Sequence, residues 1–245
     1  MLIYDLHCHL LPGLDDGAFS TDESLQMAEM AADASSGCIV CTPHVFSEKP
    51  SSARDLIQLY RQVYHLVREN DIPIRLSLGQ EIFLGQNLKE TADMLETGSL
   101  LTINHTRYPL AEVHPEESVT DVMAKLSVLK SRGFTPILAH PERYAFVWEN
   151  PSFLFRLKKA GVLLQINKDS ISGGFGSTVR KTAEYMLSMY MADFVASDAH
   201  SPTRRTPPLL QTYEYISNTF SEEYADLLLH TNPLHVLRNE TVEQY

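Results

Sequence analysis

The sequence has few basic residues, few cysteines and no long apolar run. Lysine and arginine total 20 against 31 aspartates and glutamates, which gives a formal charge of −11. This acidic balance argues against broad binding to nucleic acids or anionic membranes. No apolar run approaches the roughly 20 residues of a membrane-spanning helix, so we expect no stable membrane insertion. The opening residues, Met1 to Asp5, lack the basic and apolar segments of a signal peptide.

Cysteine chemistry is not expected. The three cysteines, Cys8, Cys38 and Cys41, are an odd number, and we interpret them as reduced core residues of a cytoplasmic protein. Cysteine-dependent phosphatases carry an arginine a short, fixed distance after the nucleophile, where it binds the phosphate. The corresponding positions here are occupied by Leu14, His44 and Ser47. A cysteinyl-phosphate mechanism is therefore excluded from the prediction.

Apolar runs alternate with helical patterns along the whole chain. The predicted strands are Leu2–Leu6, Cys38–Thr42, Ile72–Leu78, Tyr108–Val113, Thr135–Ala139, Val162–Ile166 and Asp193–Ala196. Helices are predicted from the capping-box pair Ser20 and Glu23 onward, over 51–70, 86–97, 118–132, 151–160 and 177–191, and twice beyond Thr206. The length suits one (β/α) barrel or two small domains. We predict one domain over residues 1–245, an α/β barrel of seven parallel strands.

Nine side chains that can bind a metal follow these apolar runs. They are His7, His9, Asp16, His44, Glu81, Glu112, His140, Asp198 and His200. Ligands that recur at strand ends indicate a site on the C-terminal rim of the barrel. Nine ligands are too many for one ion, and they suit two or three. Nitrogen and oxygen ligands without thiolate favour Mn²⁺, Zn²⁺ or Fe.

Two arginines and the charge of the site predict an anionic substrate. Three divalent ions would add +6 and four carboxylates would subtract 4, which leaves about +2. Arg143 follows His140 closely, and Arg205 follows His200. A guanidinium binds phosphate through two parallel hydrogen bonds. A metal-bridging hydroxide that faces a bound phosphate is a hydrolase arrangement.

Several other residues are expected to have structural roles. A single histidine is more often a hydrogen-bonded residue than a ligand, and we interpret His65, His105, His114, His230 and His235 in this way. Cys8 alternates with His7 and His9 along the strand and is expected to pack in the core. The sequence from Gly173 to Gly176 lacks the Lys-Ser/Thr ending of a phosphate-binding loop, so it is predicted to be a rim loop.

The motifs together resemble the polymerase and histidinol phosphatase (PHP) metallohydrolase family. The matching residues, in order, are His7-x-His9, Thr42-Pro43-His44, Glu81, His140 and Asp198-x-His200. The sequence resembles most closely the bacterial protein-tyrosine phosphatases of capsule and exopolysaccharide synthesis. That resemblance rests on the residues 7–17, 79–82, 139–143 and 196–200. It implies a distorted (β/α)₇ TIM-like barrel with three metal ions, usually Mn²⁺.

The resemblance also implies a role for each ligand. His7, His9, Glu81 and Asp198 would hold the first ion, and Glu81, Glu112 and His140 the second. Asp16, His44 and His200 would hold the third. Arg143 and Arg205 would bind the phosphate, although the adjacent Arg204 leaves open which arginine faces the pocket.

The expected function is hydrolysis of phosphotyrosine in proteins. The implied partner is an autophosphorylating tyrosine kinase that governs polysaccharide export, and an oligomer is compatible with the sequence. One alternative keeps the metal site but assigns a small phosphate ester such as histidinol phosphate. Another is a non-catalytic metal-binding regulatory domain, against which the complete ligand set and the two arginines count. The acidic charge disfavours a nucleic-acid substrate.

Overall fold

Parallel strands form the framework of the fold. The computed structural model describes residues 2–46 and 52–245. Its strands are β1 (Ile3–Cys8), β2 (Ser36–Cys41), β3 (His44–Phe46), β4 (Arg75–Leu78), β5 (Glu81–Phe83), β6 (Leu110–Glu112), β7 (Ile137–Ala139), β8 (Leu163–Asn167) and β9 (Phe194–Ala196). They pair in the orders β1-β2-β4 and β3-β5-β6-β7-β8-β9, and every pair is parallel.

The strands close into a distorted barrel. Two residues separate β3 from β2, and two separate β5 from β4, so the nine segments correspond to the seven predicted strands. The ring closes between β1 and β9 through a parallel bridge between Cys8 and Ala199. The His9 amide donates to the Ala199 carbonyl at 2.8 Å, and the Asp198 amide donates to the His7 carbonyl at 2.8 Å. The predicted (β/α)₇ fold is confirmed.

Two interrupted strands cause the distortion. Pro43 has no amide hydrogen and cannot continue the ladder between β2 and β3. At the second interruption, a Cβ on Gly79 would lie 3.2 Å from the Ile103 Cα, so glycine permits this close approach. The Glu81 amide donates to the Pro43 carbonyl at 3.1 Å. This bond holds β3 and β5 in register. The breaks therefore place His44 and Glu81 side by side.

Helices follow most of the strands. They are α1 (Thr21–Asp33), α2 (Ala53–Glu69), α3 (Leu88–Thr97), α4 (Val119–Ser131), α5 (Ala145–Glu149), α6 (Phe153–Lys159), α7 (Lys168–Ser172), α8 (Ser177–Ser188), α9 (Leu210–Thr219), α10 (Glu222–Asp226) and α11 (Asn232–Leu237). A π-helical segment, Leu227–Thr231, joins α10 to α11. Within the described ranges, none of these helices is long and apolar enough to cross a membrane.

The predicted helices are present, with ends that shift by a few residues. The Ser20 side chain caps α1 by accepting from the Glu23 amide at 3.3 Å, as the capping-box spacing predicts. Residue 51, the first of one predicted helix, lies outside the described residues. The short helices α5 and α7 were not predicted, because five residues are too few to show a helical period.

Hydrophobic side chains fill the ring and separate it from the helices. One buried cluster contains residues from strands all around the barrel, so it forms the interior beneath the rim. Its members include Leu6, Val40, Leu110, Ile137 and Phe194. A second cluster packs α1 and α2 against β1, β2 and β4, and a third packs the later helices against the remaining strands. The three cysteines are free and buried, as predicted for core residues.

Candidate metal centre

The nine predicted ligands meet at the C-terminal rim of the barrel. His7 lies in β1, and His9 follows that strand directly. His44 and Glu81 are the first residues of β3 and β5. Glu112 ends β6, His140 follows β7, Asp198 and His200 follow β9, and Asp16 lies in the loop between β1 and α1. The strand ends therefore bring together residues that are far apart in the sequence.

The first group of ligand atoms is fully buried. Its members are His7, His9, Glu81 and Asp198. The Nε2 atoms of His7 and His9 lie 3.1 and 3.3 Å from Glu81 Oε2, and both lie 3.4 Å from Asp198 Oδ1. These four residues are the set that the resemblance assigns to the first ion.

A second group surrounds the carboxylates of Glu81 and Glu112. His140 Nε2 lies 2.9 Å from Glu81 Oε1 and 3.7 Å from Glu112 Oε1. His44 Nδ1 lies 2.9 Å from Glu81 Oε2 and 3.7 Å from Glu112 Oε2. The ligand group found here consists of His44, Glu81 and Glu112. His140, which is expected to hold the second ion, lies beside this group and is not part of it.

The third group is more open. Asp16 Oδ1 lies 3.6 Å from His44 Nε2 and 3.3 Å from His200 Nε2. His9 also lies within reach of this group, beside the three residues that the resemblance implies. Asp16 is exposed and His44 partly exposed, so this side of the centre faces solvent.

The donor atoms fit bound cations. Glu81 Oε2 is buried and accepts no hydrogen bond from a described residue, although three imidazole nitrogens lie within 3.3 Å of it. His7 Nε2 and His9 Nε2 lie only 3.2 Å apart. Lone pairs that converge in this way, in a site of carboxylates and imidazoles, suit a divalent metal.

The charges of the site also favour cations. Burial alone would raise the pKa of Glu81, but the charge of His7 and the close approach of His140 and His44 hold it well below its usual range. Burial and the neighbouring charge of Glu81 raise the pKa of Glu112 to about 7. A cation between these two carboxylates would offset their repulsion.

Residues behind the ligands fix the orientation of three imidazoles. His7 Nδ1 lies 2.9 Å from Gln165 Oε1, His9 Nδ1 lies 2.7 Å from Asp15 Oδ2, and His200 Nδ1 lies 2.9 Å from the Asp198 carbonyl. When each Nδ1 donates its hydrogen, the Nε2 lone pair points to the centre. Sequence reasoning missed Gln165 and the role of Asp15. A polar residue inside an apolar strand was the available signal for Gln165.

The loop after β1 is shaped around Asp15. Asp15 Oδ2 also accepts from the His44 amide at 2.8 Å, and Oδ1 accepts from the Gly17 amide at 2.9 Å. A Cβ on Gly17 would lie 2.3 Å from the His9 carbonyl oxygen, so only glycine allows the loop to fold this closely. The sequence Asp15-Asp16-Gly17 thus supplies an orienting carboxylate, a candidate ligand and a close turn.

Two candidate ligands have an unusual backbone conformation. His140 has φ 36° and Asp198 has φ 49°, in the left-handed region that disfavours side chains with a Cβ. Such conformations persist where surrounding contacts hold them, and they concentrate at functional sites. Here the Asp198 amide is held by the His7 carbonyl. The sequence gives no signal of this strain.

Two arginines lie beside Asp198. Arg143 Nη1 lies 3.4 Å from Asp198 Oδ2, and Arg205 Nη2 also bonds that oxygen. Both guanidiniums lie over the ring of Phe175, with their carbon atoms 4.8 and 5.5 Å from its centroid. The Nε of Arg205 is buried and has no hydrogen-bond partner among the described residues. Arg204 is exposed, so Arg205 is the arginine that faces the site.

The remaining histidines belong to none of the ligand groups found among residues 2–46 and 52–245. His230 Nδ1 bonds the Leu2 carbonyl, and His65 packs its ring against Tyr64. His114 is exposed and accepts from the Glu116 amide. Cys8 is buried, with its sulfur 3.8 Å from the Ala199 carbonyl oxygen.

A family model, described as "Capsular polysaccharide synthesis, CpsB/CapC", matches residues 3–238. The chain belongs to the CpsB/CapC family. The tyrosine-protein phosphatase YwqE of Bacillus subtilis is 32% identical over 243 residues, which cover 97% of this chain and 92% of the relative. The putative tyrosine-protein phosphatase CapC of Staphylococcus aureus is 32% identical over 212 residues, which cover 85% of this chain and 81% of the relative.

Solved structures of CpsB/CapC proteins share the fold. A chain from the crystal structures of YwqE from Bacillus subtilis and CpsB from Streptococcus pneumoniae matches with a TM-score of 0.89 at 30% identity. It covers 99% of this chain and 97% of the other, and these proteins are described as unique metal-dependent tyrosine phosphatases. A lactonase from Listeria monocytogenes matches with a TM-score of 0.63 at 11% identity, which shows the fold alone.

Proposed function

We propose that this chain is a metal-dependent phosphatase that hydrolyses phosphotyrosine in proteins. The observation that carries the proposal is that Arg143 and Arg205 both contact Asp198, a member of one of three adjoining ligand groups. Membership of the CpsB/CapC family supports the same conclusion. Of the relatives named above, YwqE is named a tyrosine-protein phosphatase and CapC a putative one.

Three divalent ions would bind at this centre, with Mn²⁺ as the expected ion and Fe or Zn²⁺ as alternatives. The first would use His7, His9, Glu81 and Asp198, the second Glu81, Glu112 and His140, and the third Asp16, His44 and His200. When bound, such ions lower the pKa of a coordinated water and neutralise charge on a phosphoryl group.

Arg143 and Arg205 would bind the phosphoryl oxygens. They approach from the Asp198 side, and the unpaired Nε of Arg205 is a hydrogen-bond donor that a phosphate could use. Contact with Phe175 holds both guanidiniums in place before the substrate arrives. Donors that are fixed in advance stabilise the charge that develops during phosphoryl transfer.

A phenolic leaving group suits this set of residues. The histidines and carboxylates of the centre are committed to metals or to orienting the ligands, so none of them is free to act as a strong general acid. A phenolate, with a pKa of about 10, leaves more readily than an alkoxide and needs less help from a proton donor. The ease with which a phenolate leaves therefore favours phosphotyrosine over phosphoserine and over histidinol phosphate.

The proposed partner is an autophosphorylating tyrosine kinase of capsule or exopolysaccharide synthesis, and the proposed location is the cytoplasm. The family description, which names capsular polysaccharide synthesis, supports this assignment. The acidic net charge of −11 counts against a nucleic-acid partner.

The test compares substrates at equal Mn²⁺ loading. A phosphotyrosine peptide, the matching phosphoserine peptide, histidinol phosphate and single-stranded DNA are each assayed for phosphate or nucleotide release. We expect the phosphotyrosine peptide to be cleaved well ahead of the others. Faster turnover of histidinol phosphate would assign the site to a small-molecule phosphatase instead.

A further inference from the structure

Two phenylalanines extend from the metal centre toward solvent. Phe46 lies two residues after His44 in β3, and Phe83 lies two residues after Glu81 in β5. Successive side chains of a strand point to opposite faces, so each phenylalanine shares the face of a candidate ligand. The intervening residues, Val45 and Ile82, are buried in the cluster between strands and helices.

Strand register places the two rings together at the rim. Phe46 pairs with Phe83, and Phe83 pairs with Glu112 on the next strand. The ring centroids of Phe46 and Phe83 are 5.5 Å apart. Two strand residues span about 7 Å, so the pair lies that much further out than the ligands His44 and Glu81.

The aromatic pair borders a cavity that opens onto the centre. The cavity has a volume of about 580 Å³ and is lined by Leu14, Asp16, His44, Phe46, Phe83 and Glu112, among others. Phe46 is 60% exposed and Leu14 is 42% exposed. Large apolar side chains at such exposure, beside polar ligands, are typical of a binding surface rather than of a core.

Arg143 and Arg205 border the centre at Asp198, with the ring of Phe175 beneath them. Neither arginine lines the cavity beside His44 and Glu112. A phosphate held between these arginines and the ligand groups would direct its ester oxygen away from the guanidiniums. The cavity is an opening that this ester group could enter.

We infer that Phe46 and Phe83, with Leu14, hold the phenyl ring of the substrate phosphotyrosine and thereby determine specificity for aryl over alkyl phosphates. The inference rests on the proposed function. The height of the pair above the ligands matches a phosphotyrosine, whose ring stands beyond its phosphate. A phosphoserine carries no ring that could contact Phe46 and Phe83, so these residues would add nothing to its affinity.

The test removes the rings of Phe46 and Phe83. It measures the binding of the aryl group and the binding of phosphate separately. The variants are Phe46→Ala, Phe83→Ala and the double variant, with Phe155→Ala as a matched control because Phe155 is 49% exposed on α6, outside the cavity. Four quantities are measured at equal metal content. They are KM and kcat for a phosphotyrosine peptide, the inhibition constant of inorganic phosphate, and the Kd of a peptide that carries the non-hydrolysable phosphonomethyl-phenylalanine.

The double variant should raise both KM and the phosphonate-peptide Kd about tenfold or more, since it loses ring contacts and apolar burial. The inhibition constant of inorganic phosphate should stay within about twofold, because phosphate has no ring to lose. Phe46→Tyr and Phe83→Tyr should restore peptide binding. Phe155→Ala should behave as the wild type.

Two results would overturn the inference. One is unchanged peptide binding in the double variant, and the other is an equal loss of affinity for the peptide and for inorganic phosphate. Failure of the proposed function is a different outcome, because the wild-type protein itself would then not hydrolyse the phosphotyrosine peptide.

Discussion

At the scale of single residues, Glu81 is the side chain that joins the candidate metal sites. It is fully buried, and His7, His44 and His140 all approach its two carboxylate oxygens within 3.1 Å. It belongs to two of the three ligand groups, whereas His200 belongs to one. A carboxylate in this position would bridge two ions.

Replacing Glu81 should therefore remove more metal than replacing His200. We expect Glu81→Gln to release about two ions per chain and His200→Gln about one, because each lost ligand weakens only the ions it contacts. Elemental analysis of the purified variants measures this directly, and circular dichroism verifies that they remain folded. Equal metal loss in the two variants would refute the bridging role.

The two arginines should matter for turnover but not for metal content. Loss of a charge-assisted bond to the transferred phosphoryl group can cost roughly 10²–10³ in rate. We expect Arg143→Ala and Arg205→Ala to lose activity on this scale while they retain their ions. Arg143→Lys and Arg205→Lys should restore little of the activity, because an ammonium cannot form the paired hydrogen bonds of a guanidinium.

Arg204→Ala is the matched control for the arginine variants, since Arg204 is exposed beside Arg205. It should keep near-normal kcat/KM. An inactive Arg204→Ala with a normal Arg205→Ala would reverse the assignment.

At the scale of elements, the loop between β1 and α1 holds the most exposed part of the centre. Asp15 fixes the His9 ring and the His44 amide, and its own pKa is lowered to about 2. Burial opposes that shift, but the hydrogen bond and the charge of His9 outweigh it. Asp15 thus positions ligands without being assigned as one.

Asp15→Asn should weaken metal binding while the fold is kept. Outer residues that orient a ligand commonly contribute about 10- to 100-fold in metal affinity. We expect a loss of that size in Mn²⁺ titrations monitored by calorimetry, with Asp22→Asn, an exposed change on α1, as the control. An unchanged Mn²⁺ affinity would show that the hydrogen bond to His9 has no orienting role.

The elements also show what the sequence could predict. Each ligand follows an apolar run, and the ends of parallel strands must meet at one rim, so His7, Glu81 and Asp198 were expected to converge. The second halves of two strands, β3 and β5, were not expected. Three-residue segments are too short for a clear alternation, and the interruption at Gly79 depends on its approach to Ile103.

Contacts between residues that are distant in the chain could not be predicted from the sequence. The bond between His7 and Gln165 joins positions 158 apart in the chain, and no local pattern reports it. The same holds for Phe175, whose ring lies under two arginines from different loops. Tertiary proximity, rather than residue type, gives these side chains their roles.

At the scale of the whole molecule, closure of the barrel completes the site. The bridge between Cys8 and Ala199 brings the first strand against the last, and the first ligand group takes residues from both. The single domain over residues 1–245 remains a prediction. Because His7 and Asp198 come from opposite ends of the chain, the site can form only when the ring closes.

The most direct test of the account is turnover as a function of bound metal. The protein is stripped with a chelator, and Mn²⁺ is then titrated back while bound ions and phosphotyrosine-peptide hydrolysis are measured together. We predict no turnover in the stripped protein and full activity only once about three ions are bound per chain. Full hydrolysis by the folded, metal-free protein would contradict the account.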